Sequence, residues 1–351
     1  MSTMRVAVYY NNRDVRLEER PVPVIGPGEL LVKVEACGLC GGETMEWYLQ
    51  PRAPKVLGHE PTGIVAQLGP AVGSFKEGDR VFVHHHVACM TCHHCLRGHF
   101  TMCEQYGQTN IDPGGFAEYF RVPAENVHYD TLVLPDGVSF EAGTLIEPLG
   151  CVLKGLKVAG IQPGDTVAII GAGFMGMGFI QFARLGGAGR IFALDFSDWR
   201  LNKALELGAD HTINPQKEDA PVKLRDLNSG YGADSVIVTA PNLSAVELGL
   251  SLAGKGATLH VNAPLPPDAT WRIHANDLYF REVTLTFSYS ATHVETRQVL
   301  TYLTTGRIAD TDLITDRFGL HGVAKAIELL LAAGESLKSV IIPSLDQVDM
   351  R

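Results

Sequence analysis

The sequence predicts an α/β chain of two domains, one β-rich and one built on a doubly wound, six-stranded parallel sheet. Three observations predict it. At 351 residues the chain exceeds the size that one core commonly serves. Its first third carries short runs of alternating apolar and polar residues separated by turn residues, the pattern of antiparallel strands. Between about residues 165 and 290, apolar strand-like runs alternate with helical stretches, the pattern of parallel strands joined by crossovers.

Composition narrows the partners. Hydrophobic residues at 46% and charged residues at 19% describe a globular chain with ample core. A formal net charge of −10 argues against nucleic acid or an anionic membrane surface as partner and leaves small molecules. The N-terminal stretch has no basic segment followed by an apolar run, so no signal peptide is expected. Residues 167–185 are apolar enough to imitate a membrane span, but their glycines and the Gln181 and Arg184 near the end favour a buried strand, turn and helix. Seven cysteines, an odd number without a secretion signal, point away from a disulfide framework and towards a reducing cytoplasm.

In chain order, residues 4–36 read as antiparallel strands broken at Asn11-Asn12 and at Gly26-Pro27-Gly28. Residues 37–60 follow, running from Cys37-Gly-Leu-Cys40 to Gly58-His59-Glu60. A thiolate from Cys37 or Cys40, the imidazole of His59 and the carboxylate of Glu60 suit a borderline-soft ion such as zinc, and three such ligands leave a fourth position open for catalysis. Strands are expected after Glu60 and over residues 80–86, which end in His84, His85 and His86.

Cys89, Cys92, Cys95 and Cys103 come next; two short spacers and one longer one let a loop wrap a tetrahedral ion with four thiolates, a closed and therefore structural zinc site. Six of the 13 histidines lie between 84 and 99. A second metal site built from His84, His85, His86, His93 and His94 is disfavoured, because consecutive residues of a strand point to opposite faces. Residues 114–122 read as a further strand, and 138–158 turn helical, with Glu147-Pro148 at the centre. A helix-start acid that favours the helix dipole is the plain reading of Glu147.

Pro163-Gly164-Asp165 is a turn, and the apolar run after it reads as a strand buried on both faces. Gly171-x-Gly173-Phe174-Met175-Gly176 then opens a helix, and a second strand ends in Asp195, 24 positions after Gly171. That context makes the glycine pattern a dinucleotide fingerprint, with the pyrophosphate at the helix N-terminus and Asp195 on the ribose hydroxyls. Asp195 repels a 2′-phosphate, so NAD is expected over NADP, although Arg200 is near in sequence. Helices near 198–207, 219–228 and 243–253, and strands near 211–213, 234–240, 256–262 and 283–288, complete six strands with crossovers.

The Gly-His-Glu pattern followed by Gly63, Gly69 and Val72 resembles the zinc signature of the medium-chain alcohol dehydrogenases, and the four-cysteine loop has the spacing of that family's structural-zinc lobe. The resemblance spans nearly the whole chain. It implies a GroES-like catalytic domain over 1–155 and 290–351, a Rossmann domain over 156–289, two zinc ions per chain, and a homodimer or homotetramer. It places the catalytic metal on Cys40 rather than Cys37. In the sorbitol and threonine dehydrogenase branch a Glu in a Glu-Pro-Leu context lies beside that zinc, which implies Glu147 as a ligand that can exchange roles with Glu60.

The implied activity is hydride transfer between a secondary alcohol, polyol or sugar-like, and NAD. The usual proton relay is absent. Gly42 stands where the family has Ser or Thr, Met45 where a His often follows, and Glu43 where Asp is usual. Thr44, Glu43 or water are the remaining routes, and Trp47 and Tyr48 are candidates for the substrate pocket. Two other readings stay open: an enzyme that keeps NAD bound for epimerisation or elimination, and a non-catalytic relative that keeps the fold.

Overall fold

The alternating N-terminal runs pair as their pattern dictates. In the computed structural model, which describes residues 2–347, Leu30–Gly38 is the central strand of a seven-stranded sheet. It pairs antiparallel with Glu60–Leu68, with Tyr119–Val122 and with Lys338–Ile341. Register sets Gly38 opposite both Glu60 and Val340. Gly38 is needed there, since a Cβ would lie 2.0 Å from Glu60 Oε2. Thr3–Asn11 and Asp14–Pro21 form a hairpin in a separate three-stranded sheet. Val6 and Val8 of Thr3–Asn11 point inward and share one core with Val32, Phe116, Phe120 and Ile341. Each such fully buried side chain stabilises by about 1.5–3 kcal/mol.

The chain divides into two compact units. One runs to Gly150 and resumes at Ala291; the other is Cys151–Ser290. The division falls inside the helix Ile146–Ala159, five residues before the expected border at 155, and no linker marks it because the helix runs through without a break.

In the second unit the parallel strands are Thr166–Ile170, Arg190–Leu194, His211–Ile213, Ala233–Val238, Ala253–Val261 and Thr284–Phe287. Their spatial order is third, second, first, fourth, fifth, sixth. The first strand is buried at every position, as a strand covered on both faces must be. Helices start where the sequence supplies caps. Ser197, Asp219 and Asn242 accept from the amides of Arg200, Val222 and Ala245. One helix, Ala275–Arg281, went unforeseen; none of its residues is buried, so it has no apolar stripe to betray it. Among the described residues no helix is long and apolar enough to cross a membrane.

Two expected strands are shorter than read. The run 114–122 is strand only over Tyr119–Val122. The run 80–86 is strand only over Arg80–Val83. At His84 the chain leaves the sheet: the Asn126 amide donates to the carbonyls of His84 and His85 at 2.8 and 2.9 Å, taking acceptors that a strand neighbour would have used.

Candidate metal and dinucleotide sites

Potential ligand atoms of Cys40, His59 and Glu60 lie within 4.8 Å of one another. Cys40 caps the short turn Gly41–Thr44, and its Sγ accepts from the Gly42 amide at 3.4 Å. Cys37, its rival by spacing, is fully buried at the strand end, and burial, then Glu43 and Glu60, pushes its thiol well above the ordinary range. Glu60 opens its strand and is buried.

Glu43 organises this group. Its buried carboxylate accepts from the Gly58 amide at 2.6 Å, from the Cys40 amide at 3.2 Å and from His59 Nδ1 at 3.0 Å. With Nδ1 turned to the carboxylate, Nε2 is the nitrogen that can reach a metal, the arrangement of a carboxylate-backed metal ligand. Burial opposes ionisation of Glu43, yet His59 and the two amides outweigh it and hold the carboxyl below its ordinary value. Burial likewise opposes protonation of His59, but Glu43 and Cys40 outweigh it and hold the imidazole well above its ordinary value.

Lys338 completes the surroundings and was not foreseen. Its buried ammonium pairs with Glu60 Oε2 and donates to the Leu39 carbonyl at 3.1 Å. Burial pulls Lys338 down, but Glu60 and Cys40 raise it above the ordinary lysine value. Burial raises Glu60, opposed by Lys338 and His59 and reinforced by Glu147.

Glu147 is buried near the start of its helix, but its ligand atom groups with His84 and His85 within 4.8 Å rather than with Cys40. Strand pleat was expected to hold the neighbouring histidines apart; the strand ends at Val83, so His84 and His85 are not set on opposite faces. Both are buried, and the His85 and His59 rings lie 4.7 Å apart. Burial, then His86, His59 and His84, pushes His85 well below the ordinary imidazole value. Burial takes His86 down to about 4.

The other proposed groups fall as follows. The Thr44 hydroxyl donates to the Gly41 carbonyl at 2.8 Å, within its own turn. Trp47 and Tyr48 are exposed on the short helix Glu46–Leu49, and Arg52 stacks over Tyr48. His93 and His94 lie on the short helix His93–Leu96 of the cysteine lobe.

The thiols of Cys89, Cys92, Cys95 and Cys103 gather within 4.8 Å, as a four-thiolate zinc site requires. The Thr91 amide and hydroxyl and the Cys92 amide draw Cys89 down to about 6, while burial and neighbouring thiols push Cys95 up to about 12. Buried Tyr106 packs against this lobe and donates to the Ala291 carbonyl at 2.7 Å.

The three fingerprint glycines differ in role. Gly171 has φ +94, and a Cβ there would meet Thr239 Oγ1 at 2.5 Å. At Gly176 a Cβ would lie 1.9 Å from the Gly171 carbonyl oxygen, so helix and strand touch backbone to backbone. At Gly173 a Cβ would meet nothing nearer than Arg200 at 3.9 Å. That open face lies at the N-terminus of the helix Phe174–Leu185, with Gly173 as its N-cap. The residues present therefore fit a pyrophosphate there. Asp195 follows the second strand, its carboxylate accepting from the Ala172 and Ser197 amides.

Residues 26–136 match the family described as alcohol dehydrogenase GroES-like domain, and residues 175–305 match zinc-binding dehydrogenase. A sorbitol dehydrogenase of Bacillus subtilis is 31% identical, with 97% of this chain and 98% of that protein covered. An L-threonine 3-dehydrogenase of Bacillus velezensis is 34% identical, with 93% and 95% covered. Among solved structures, a zinc-binding dehydrogenase of Sinorhizobium meliloti bound to NADP superposes with TM-score 0.88 at 30% identity, covering 98% of this chain and 100% of that one. The 2R,3R-butanediol dehydrogenase of Bacillus subtilis gives 0.84 at 26%, covering 97% and 99%.

Proposed function

The chain belongs to the zinc-dependent medium-chain alcohol dehydrogenases, and on that premise we propose that it oxidises a secondary alcohol, polyol or sugar-like, with NAD as hydride acceptor. The observation that carries this reading is the Cys40, His59 and Glu60 group with His59 anchored on Glu43. An ion held there supplies Lewis-acid polarisation of an alcohol oxygen, and the dinucleotide supplies the hydride acceptor. The chain's own residues do the rest. Glu43 fixes the His59 tautomer, and Lys338 balances the buried Glu60 charge. Proton release rests on water, since Gly42 has no hydroxyl, Thr44 donates its own to the Gly41 carbonyl, and the Glu43 oxygens are taken up by the Gly58 and Cys40 amides and His59 Nδ1.

Zinc and a nicotinamide cofactor come with the family; two zinc ions per chain and NAD are our reading. The four gathered thiols support the second ion. Asp195 after the second strand supports NAD, with Arg200 beside Gly173 placed for the pyrophosphate. Exposed Tyr279, Phe280 and Phe287, the last on the edge strand of the parallel sheet, support a homodimer or homotetramer. Seven cysteines, none of them in a disulfide, support a reducing cytoplasm.

The test is NAD and NADP reduction by purified protein across polyols, vicinal diols, amino alcohols and cyclic alcohols. Turnover with NAD at least about tenfold above NADP, abolished by Cys40→Ala, is expected. Stoichiometric NAD released only on denaturation, with no net reduction of added NAD, would replace the reading with transient oxidation on a held cofactor.

A further inference from the structure

We propose that His84, His85 and Glu147 form a second divalent-cation site beside the Cys40, His59 and Glu60 group, taking a first-row ion of the zinc, cobalt or manganese kind. One ligand atom from each of the three lies within 4.8 Å of the others. His84 is wholly buried, with Nδ1 2.9 Å from Asp130 Oδ2. Asp130 also accepts from the Thr296 hydroxyl and pairs with Arg297, which fixes it against Nδ1 and leaves Nε2 as the nitrogen turned to the site. Nε2 of His84 is buried with no hydrogen-bond partner among the described residues. Nδ1 of His85 is likewise buried without a partner. Leaving such an atom unsatisfied is costly, and here two of them belong to residues gathered around one buried carboxylate.

The backbone is set for this arrangement. Asn126 takes the carbonyls of both histidines, which ends the strand at Val83 and releases the pair from strand alternation. The Asp130–His84 bond has the form that orients metal-bound imidazoles and raises their basicity. Two imidazoles and a carboxylate, with no thiolate, make a harder donor set than Cys40, His59 and Glu60. The two groups are neighbours: the His59 and His85 rings lie 4.7 Å apart. The site does not depend on the dehydrogenase reading, and its test reads metal rather than turnover.

Full-length protein and His84→Asn are each loaded with zinc, freed of excess by gel filtration, and counted by mass spectrometry. Both are then reloaded with cobalt for visible spectroscopy. The expected counts are about three per chain in the native protein and about two in the variant. The loss should fall on weak nitrogen–oxygen cobalt absorption, with the intense thiolate bands unchanged. A native count of about two, or an unchanged count in a folded His84→Asn, overturns the proposal and assigns the unpaired nitrogens to bridging water. If His84→Asn does not fold, the native count and His85→Asn decide in the same way.

Discussion

Replacing Glu43 perturbs the candidate catalytic centre at its hinge. Glu43→Gln keeps the shape and removes the charge. With its oxygen towards the Gly58 amide and His59 Nδ1, the new NH2 faces the Cys40 amide, donor against donor. One buried amide left unsatisfied costs about 1–3 kcal/mol. Loss of the carboxylate behind a ligating imidazole weakens metal affinity about 10–100-fold, equivalent to about 1.4–2.7 kcal/mol. Competition against a chromophoric chelator reads the effect directly. The ion attributed to Cys40, His59 and Glu60 should weaken by that factor, while the four-thiolate ion stays put. Glu43→Asp keeps the charge but is one methylene short, and should fall between. Unchanged zinc affinity in a well-folded Gln variant would refute the orienting role; equal weakening of both ions would show damage to the fold instead.

Other outcomes are as specific. Lys338→Met leaves Glu60 buried without its counter-charge, and metal-free protein should lose about 3–5 kcal/mol in urea unfolding; zinc should reduce the loss by neutralising Glu60, and equal losses with and without zinc count against the pairing. Gly176→Ala, with a Cβ 1.9 Å from the Gly171 oxygen, should lower melting temperature and dinucleotide affinity together, whereas Gly173→Ala should lower affinity alone, as titrations of NADH fluorescence can distinguish. Burial holds His260 at about 4, below the ordinary value of 6.5, with its ring nitrogens on the hydroxyls of Thr286 and Ser288. The unfolded chain therefore protonates first as pH falls, so stability is full above about 6.5 and declines by up to about 3 kcal/mol towards pH 4. His260→Gln should flatten that slope in urea midpoints, and an unaltered slope would remove His260 as its source.

What could be read from the sequence was local. The doubly wound unit was legible because strands buried on both faces are apolar throughout, and because glycines at fixed offsets between strand and helix have one common use. The cysteine lobe was legible because four thiols within fifteen positions, so spaced, suit a tetrahedral ion and little else. What was hidden depends on partners distant in sequence. Lys338 carries a signal only in hindsight, as a lone cation in the apolar run Leu337–Ile341; its partner Glu60 is found only through strand pairing. Asn126, which ends the strand at Val83, is 42 positions from His84. By sequence Glu43 is one of the remaining proton routes, and only its three bonds, two of them to residues beyond position 57, reveal an orienting role.

The pairing of Glu60 with Lys338 also has a consequence in time. Glu60 is synthesised early, and its counter-ion lies on a strand made only after the whole of Cys151–Ser290. At about 5–20 residues per second, the carboxylate waits on the order of half a minute for its lysine. Through that interval the end of Leu30–Gly38 lacks its Lys338–Ile341 neighbour, and by its end Cys151–Ser290 has all six of its strands. The nascent chain thus matures from the middle outward, and the candidate metal centre is sealed by one of the last strands to leave the ribosome.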